Sequence, residues 1–153
     1  MKTTNVPLVA VDPVDAGGEW SSGSSEGHTL AIELSAPTIE AALARAVEGF
    51  ADVLGEVHPS VTMDQHELAA SGTSPSALLL VVLEECLRCR RDGRLAVTLT
   101  DVEQDGSELR AIVHSVPVDP EHDHHSLGPV VSWHEVTLEP SSDGEWSGRI
   151  VAR

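Results

Sequence analysis

Tyrosine is absent from this 153-residue chain, phenylalanine occurs once and tryptophan three times. With so few rings the core must be aliphatic, and no row of aromatics is available to stack on bases. Positive charge is scarce as well: 9 Lys plus Arg stand against 25 Asp plus Glu, a formal net charge of −16. That sign opposes phosphate backbones and anionic membranes, so neither direct nucleic-acid binding nor membrane attachment is expected. No run approaches the ~18 apolar residues of a membrane span, and the N-terminus lacks a charged-then-apolar signal pattern, which makes the cytoplasm the expected location. The two cysteines, Cys86 and Cys89, are too close together to staple distant segments. Also missing are a nucleophile elbow around any serine, a glycine-rich phosphate loop and a basic stripe. No set of nucleophile, base and oxyanion donors can be named, and an independent enzyme is not expected.

What remains is enough for one domain with a core, since 41% of the residues are hydrophobic. Residues Met1 to Glu26 carry Pro7, Pro13, Gly17, Gly18 and the run Ser21 to Ser25, a composition that predicts a flexible tail, with Val6 to Val11 as the one stretch able to add an edge strand. The folded domain is expected over residues 27–153. It opens on Gly27-His28-Thr29-Leu30-Ala31-Ile32-Glu33-Leu34, whose alternation from Thr29 predicts a half-buried strand with Leu30, Ile32 and Leu34 inward.

Thr38 then offers an N-cap to a helix expected to run to about Leu54, with Ile39, Leu43, Val47, Phe50 and Leu54 as one apolar stripe. A peripheral strand is expected over Val61 to Ala69. Ser74-Pro75 opens a second helix, whose Leu78, Leu79, Val82, Leu83, Cys86 and Leu87 form a broad buried face. Arg88, Arg90 and Arg91 suit its negative end, and Gly93 can close it. Both cysteines fall among apolar helical positions, so core packing is their expected role. Strands follow at Leu95 to Val102, Glu108 to Val116, Val130 to Leu138 and Glu145 to Ala152, with Asp105-Gly106 and Asp143-Gly144 as hairpin signals. The expected architecture is α+β, a two-layer domain with two main helices packed on a mostly antiparallel or mixed sheet.

The segment Pro117 to Pro129 concentrates the ligand-type side chains. His122, His124 and His125, with Asp119 and Asp123, are the imidazoles and carboxylates that zinc or nickel accept, although neighbours on one polar loop seldom converge on a single ion.

Four stretches together resemble the archease family over roughly Glu26 to Arg153. Gly27-His28-Thr29 resembles the family's His-Thr-Ala-Asp strand entrance, and Thr38 to Leu43 its Ser-Leu-Glu-Glu-Ala-Phe helix start. Leu78 to Leu87, with Glu84 and Glu85, is similar to its leucine-rich second helix. Val131-Ser132-Trp133-His134 is similar to its Ile-Thr-Tyr-His strand. The resemblance implies an archease-like domain that assists an RtcB-type tRNA-splicing RNA ligase in metal-dependent guanylylation and multiple turnover, touching the ligase and not the RNA. It also implies family-motif roles for His28, Thr29, Ser132, Trp133 and His134, and a divalent cation such as calcium held by two aspartates. Here the first aspartate aligns with Ala31, and Ile150 to Arg153 contains none. Hard cations need oxygen ligands, which leaves Glu33, Asp123 or the terminal carboxylate as substitutes. The alternative is a divergent binding or metal-handling module on the same fold, with His122, His124 and His125 as its site.

Overall fold

The computed structural model describes residues 2–4, 19–24, 30–54, 63–118 and 132–152. Ten elements follow in order: β1 (Lys2–Thr4), β2 (Glu19–Ser24), β3 (Leu30–Ala36), α1 (Ile39–Leu54), β4 (Met63–Ser71), α2 (Pro75–Arg91), β5 (Arg94–Asp105), β6 (Glu108–Pro117), β7 (Trp133–Pro140) and β8 (Trp146–Ala152). The α+β class and the two helices on antiparallel strands are as expected. The strands, however, divide into two four-stranded sheets, β1-β4-β6-β5 and β2-β3-β8-β7, with every pairing antiparallel. Both helices pack against both sheets and so form the middle layer.

The composition of α1 explains that arrangement. Its stripe of Ile39, Leu43, Val47 and Phe50 is buried, but so are Ala41, Ala42, Ala44, Ala46 and Ala51 around the rest of the helix. Alanines have little hydrophobic signal of their own, so the stripe alone was conspicuous. Their small side chains let a second sheet approach the helix from the other side. Arg45 is the exception on this helix, buried with its Nη2 2.7 Å from the Glu48 carboxylate.

Local signals hold where backbone chemistry is specific. Thr38 Oγ1 accepts from Ala41 N at 3.1 Å, and Ser74 Oγ accepts from Ala77 N at 3.1 Å, capping the two helices. Gly93 closes α2 at φ 78°, and Gly106 and Gly144 turn the two hairpins at φ 61° and 87°. The Ser76 hydroxyl accepts from Leu138 N at 2.9 Å and thereby ties the start of α2 to β7.

Two departures concern the N-terminal half. The stretch 1–26, expected as a tail, contributes β1 and β2, which pair with β4 and β3. A ladder is made by backbone groups, so the Ser- and Gly-rich β2 can satisfy the edge of β3 despite its composition. The candidate strand at 6–11 lies outside the described residues. Strand β4, expected at the periphery, lies between β1 and β6, because β1 covers its other edge. No helix among the described residues is long and apolar enough to cross a membrane.

Candidate functional site

Period-two alternation puts Ile32 and Leu34 of β3, Leu138 of β7 and Ile150 of β8 against the helices, which leaves the opposite face of the second sheet to solvent. That face forms a groove of about 580 Å³ lined by Glu19, Glu33, Ser35, Glu135, Glu139 and Arg149, among others. Four carboxylates thus surround one guanidinium. Arg149 Nε stands 3.9 Å from Glu33 Oε1 and 4.0 Å from Glu135 Oε2, separations that make loose, solvated ion pairs. The groove therefore presents a net negative field over an open surface.

The same face bears on the divalent ion that the family resemblance implies. Ala31 is paired with Val151 across β3 and β8, and neither side chain has an oxygen to offer. Glu33, the substitute two residues along, already faces Arg149. A hard cation held by a carboxylate pair at Ala31 and the β8 end does not fit these residues. Asp123, His122, His124 and His125 lie outside the described residues, as do His28 and Thr29.

Of the remaining motif residues, Ser132 and His134 are exposed, whereas Trp133 is half-buried and joins three elements. Its ring leans on Phe50 of α1, with centroids 5.7 Å apart and planes at 38°. Its indole Nε1 donates to Glu84 Oε1 of α2 at 3.0 Å. Trp133 is thus a brace between β7 and the helix layer: apolar ring inward, N–H satisfied at the rim.

A second cluster escaped sequence reasoning. His66 projects from the helix-facing side of β4 toward the C-terminal half of α2, and its Nε2 lies 2.5 Å from Glu85 Oε2. Arg88, one turn further on, donates through Nε to Glu85 Oε1 at 2.8 Å and through Nη2 to Glu85 Oε2 at 2.6 Å. Its Nη1 reaches Asp92 at 3.2 Å. Burial pushes the Glu85 carboxyl up, but the hydrogen bonds from Arg88 and His66 outweigh it and hold the group below its ordinary value. Cys89 completes the cluster. The Glu85, Arg88 and Cys89 spacing of three and four residues was a legible signal that these side chains share one helix face. Nothing in the spacing says that His66 meets them, because that depends on how β4 lies across α2.

Both cysteines are buried and unbridged, as expected. Burial, reinforced by neighbouring negative charge, raises the Cys86 thiol far above its ordinary range and pushes Cys89 up to about 11. Burial thus favours the protonated thiol at both positions, the form that is the poorer nucleophile. A further buried imidazole, His114 on β6, joins Thr100 Oγ1 through Nε2 at 2.7 Å, and burial lowers its pKa.

Comparison with known proteins agrees with this geometry. No curated protein matches the chain. The solution structure of Methanobacterium thermoautotrophicum protein 1598 matches with a TM-score of 0.60 at 14% identity, over 88% of this chain and 96% of that one. At that identity the match establishes the fold. The model of the Archease protein family (MTH1598/TM1083) matches residues 29–152, which takes in both helices and both hairpins. This chain belongs to the archease family.

Proposed function

We propose that this protein is a non-catalytic accessory factor of an RtcB-type RNA ligase, and that it meets the ligase through the acidic groove of its second sheet. Family membership over residues 29–152 is the observation that carries the proposal. The charge of the surface supports it: a groove of four carboxylates around one arginine, on a chain of net charge −16, suits a basic protein rim and repels RNA. An enzyme that handles RNA carries such basic surface. On this account the factor performs no bond chemistry of its own. It raises the ligase's guanylylation and turnover by binding beside the active site, with no ion held at the Ala31 position. The test is a multiple-turnover tRNA ligation assay with the RtcB-type ligase of the same organism. Stimulation by substoichiometric amounts of this protein is expected, and a ligase that turns over equally without it overturns the proposal.

A further inference from the structure

His66, Glu85 and Cys89 bring one imidazole nitrogen, one carboxylate and one sulfur together, with the three ligand atoms all within 4.8 Å of one another. The cluster lies between β4 and α2, whereas the Ala31 position lies on the outer face of the other sheet. Bonds of about 2.0 Å to nitrogen and oxygen and about 2.3 Å to sulfur separate the ligand atoms of a tetrahedral zinc site by about 3.5 Å. The cluster therefore has to close by no more than about 1.3 Å while His66 and Glu85 move slightly apart. Mixed nitrogen, oxygen and sulfur donors suit a borderline-soft divalent ion and not calcium or magnesium.

Arg88 is the feature that decides how such a site would behave. Its guanidinium lies on the Glu85 carboxylate, 3.3 Å from His66 Nε2, so the cluster already contains a positive charge. The arginine side chain is 52% exposed, against 13% for Glu85 and 18% for His66, and Asp92 offers it a second anchor on the solvent side. It can leave without disturbing the core.

We propose that His66 Nε2, the Glu85 carboxylate and Cys89 Sγ form a three-ligand site for a zinc-type divalent cation, with water as fourth ligand and Arg88 as the competitor that must swing aside. The Cys89 S–H bond breaks and a metal–sulfur bond forms, with the proton passing to solvent. The Nε2–H bond of His66, which faces the Glu85 carboxylate in the metal-free chain, breaks and a metal–nitrogen bond forms; by proton exchange with solvent the ring binds as the neutral imidazole, its one proton on Nδ1. Because the thiol is protonated until the metal arrives, uptake strengthens as pH rises.

The experiment is titration of the full chain with zinc by calorimetry and with cobalt(II) by absorbance, the latter because a cobalt–thiolate bond gives a charge-transfer band in the near ultraviolet. One ion per chain and that band are expected. Cys89→Ser should remove the band and weaken binding by at least about tenfold, and His66→Ala should weaken it similarly. Arg88→Ala changes an exposed side chain and leaves the core intact, yet it should tighten binding by about tenfold, the equivalent of about 1.4 kcal/mol. The triple variant His122→Ala, His124→Ala, His125→Ala should keep the band. A wild-type chain without the band, an Arg88→Ala variant that binds no more tightly, or loss of the band in the triple variant each overturns the assignment.

Discussion

Glu33 and Glu135 stand 3.9 and 4.0 Å from Arg149 across an open sheet face, whereas Glu85 grips Arg88 at 2.6 and 2.8 Å and lies 2.5 Å from His66 against a buried helix. The chemistry of the groups is nearly the same in the two regions, and their surroundings divide the roles. In the groove, water screens each pair, so local attraction is weak while the unbalanced carboxylates project a field outward. Around Glu85, partial desolvation makes each hydrogen bond count, and the charges largely cancel within the cluster. The groove is thus placed to attract something from a distance, and the Glu85 cluster to hold helix and strand together until a competing cation arrives.

The comparison can be broken at the groove first. If the proposed RtcB-type ligase is the partner, replacing Glu33, Glu135 and Glu139 together by lysine should slow association with it by about 10- to 100-fold at low salt, as read by stopped-flow mixing, because steering depends on the summed field. The melting temperature should hardly move, since exposed substitutions of this kind change stability by about 0.5 kcal/mol or less each. A triple variant that associates normally would mean that the ligase is met by another surface.

Next in size is Glu85→Ala, which strands His66 and Arg88 without their shared acceptor. A loss of about 1–2 kcal/mol is expected in urea unfolding at neutral pH, kept modest because half of Arg88 is in solvent. The sign of its pH dependence follows from the lowered carboxyl pKa: stability from Glu85 is complete above the ordinary value of 4.5 and is lost as pH falls through the lower, folded value. Wild type and Glu85→Ala should therefore converge in strong acid. The His114 contribution is separable by pH, because burial lowers that imidazole and its acid destabilisation begins below 6.5. Parallel acid limbs in the two proteins would show that Glu85 is not the stabilising group.

The smallest effect sharpens the other side. Arg149→Gln removes the one cation of the groove, and with pairs this long it should cost less than about 0.5 kcal/mol. It should also leave the groove more negative and steepen the salt dependence of docking, measured as association rate against ionic strength. A destabilised Arg149→Gln variant would place the groove in the same class as the Glu85 cluster.

How much of this the chain discloses depends on whether a feature is local. The caps at Thr38 and Ser74, the close at Gly93 and the turns at Gly106 and Gly144 are decided by the backbone needs of a few residues, so the sequence shows them directly. The partition into two sheets is not local. It follows from alanines on α1 that announce no preference of their own, and from β1 and β2 finding edges that only the folded strands create. The candidate sites divide in the same way. Trp133 could be singled out within a strand, but its partners Phe50 and Glu84 are set by how β7 lies over the helices. His66 looked like one polar residue of an outer strand. Its meeting with Glu85, 19 residues later in the chain, is a product of packing.

The position of α1 has a consequence for the chain as a unit. One helix supplies the inner lining of both sheets, so neither sheet can be excised together with a core of its own. Cutting the polypeptide before β7 would leave the first sheet fully paired, yet Phe50 would lose the Trp133 ring that leans on it. The fold is indivisible in that sense.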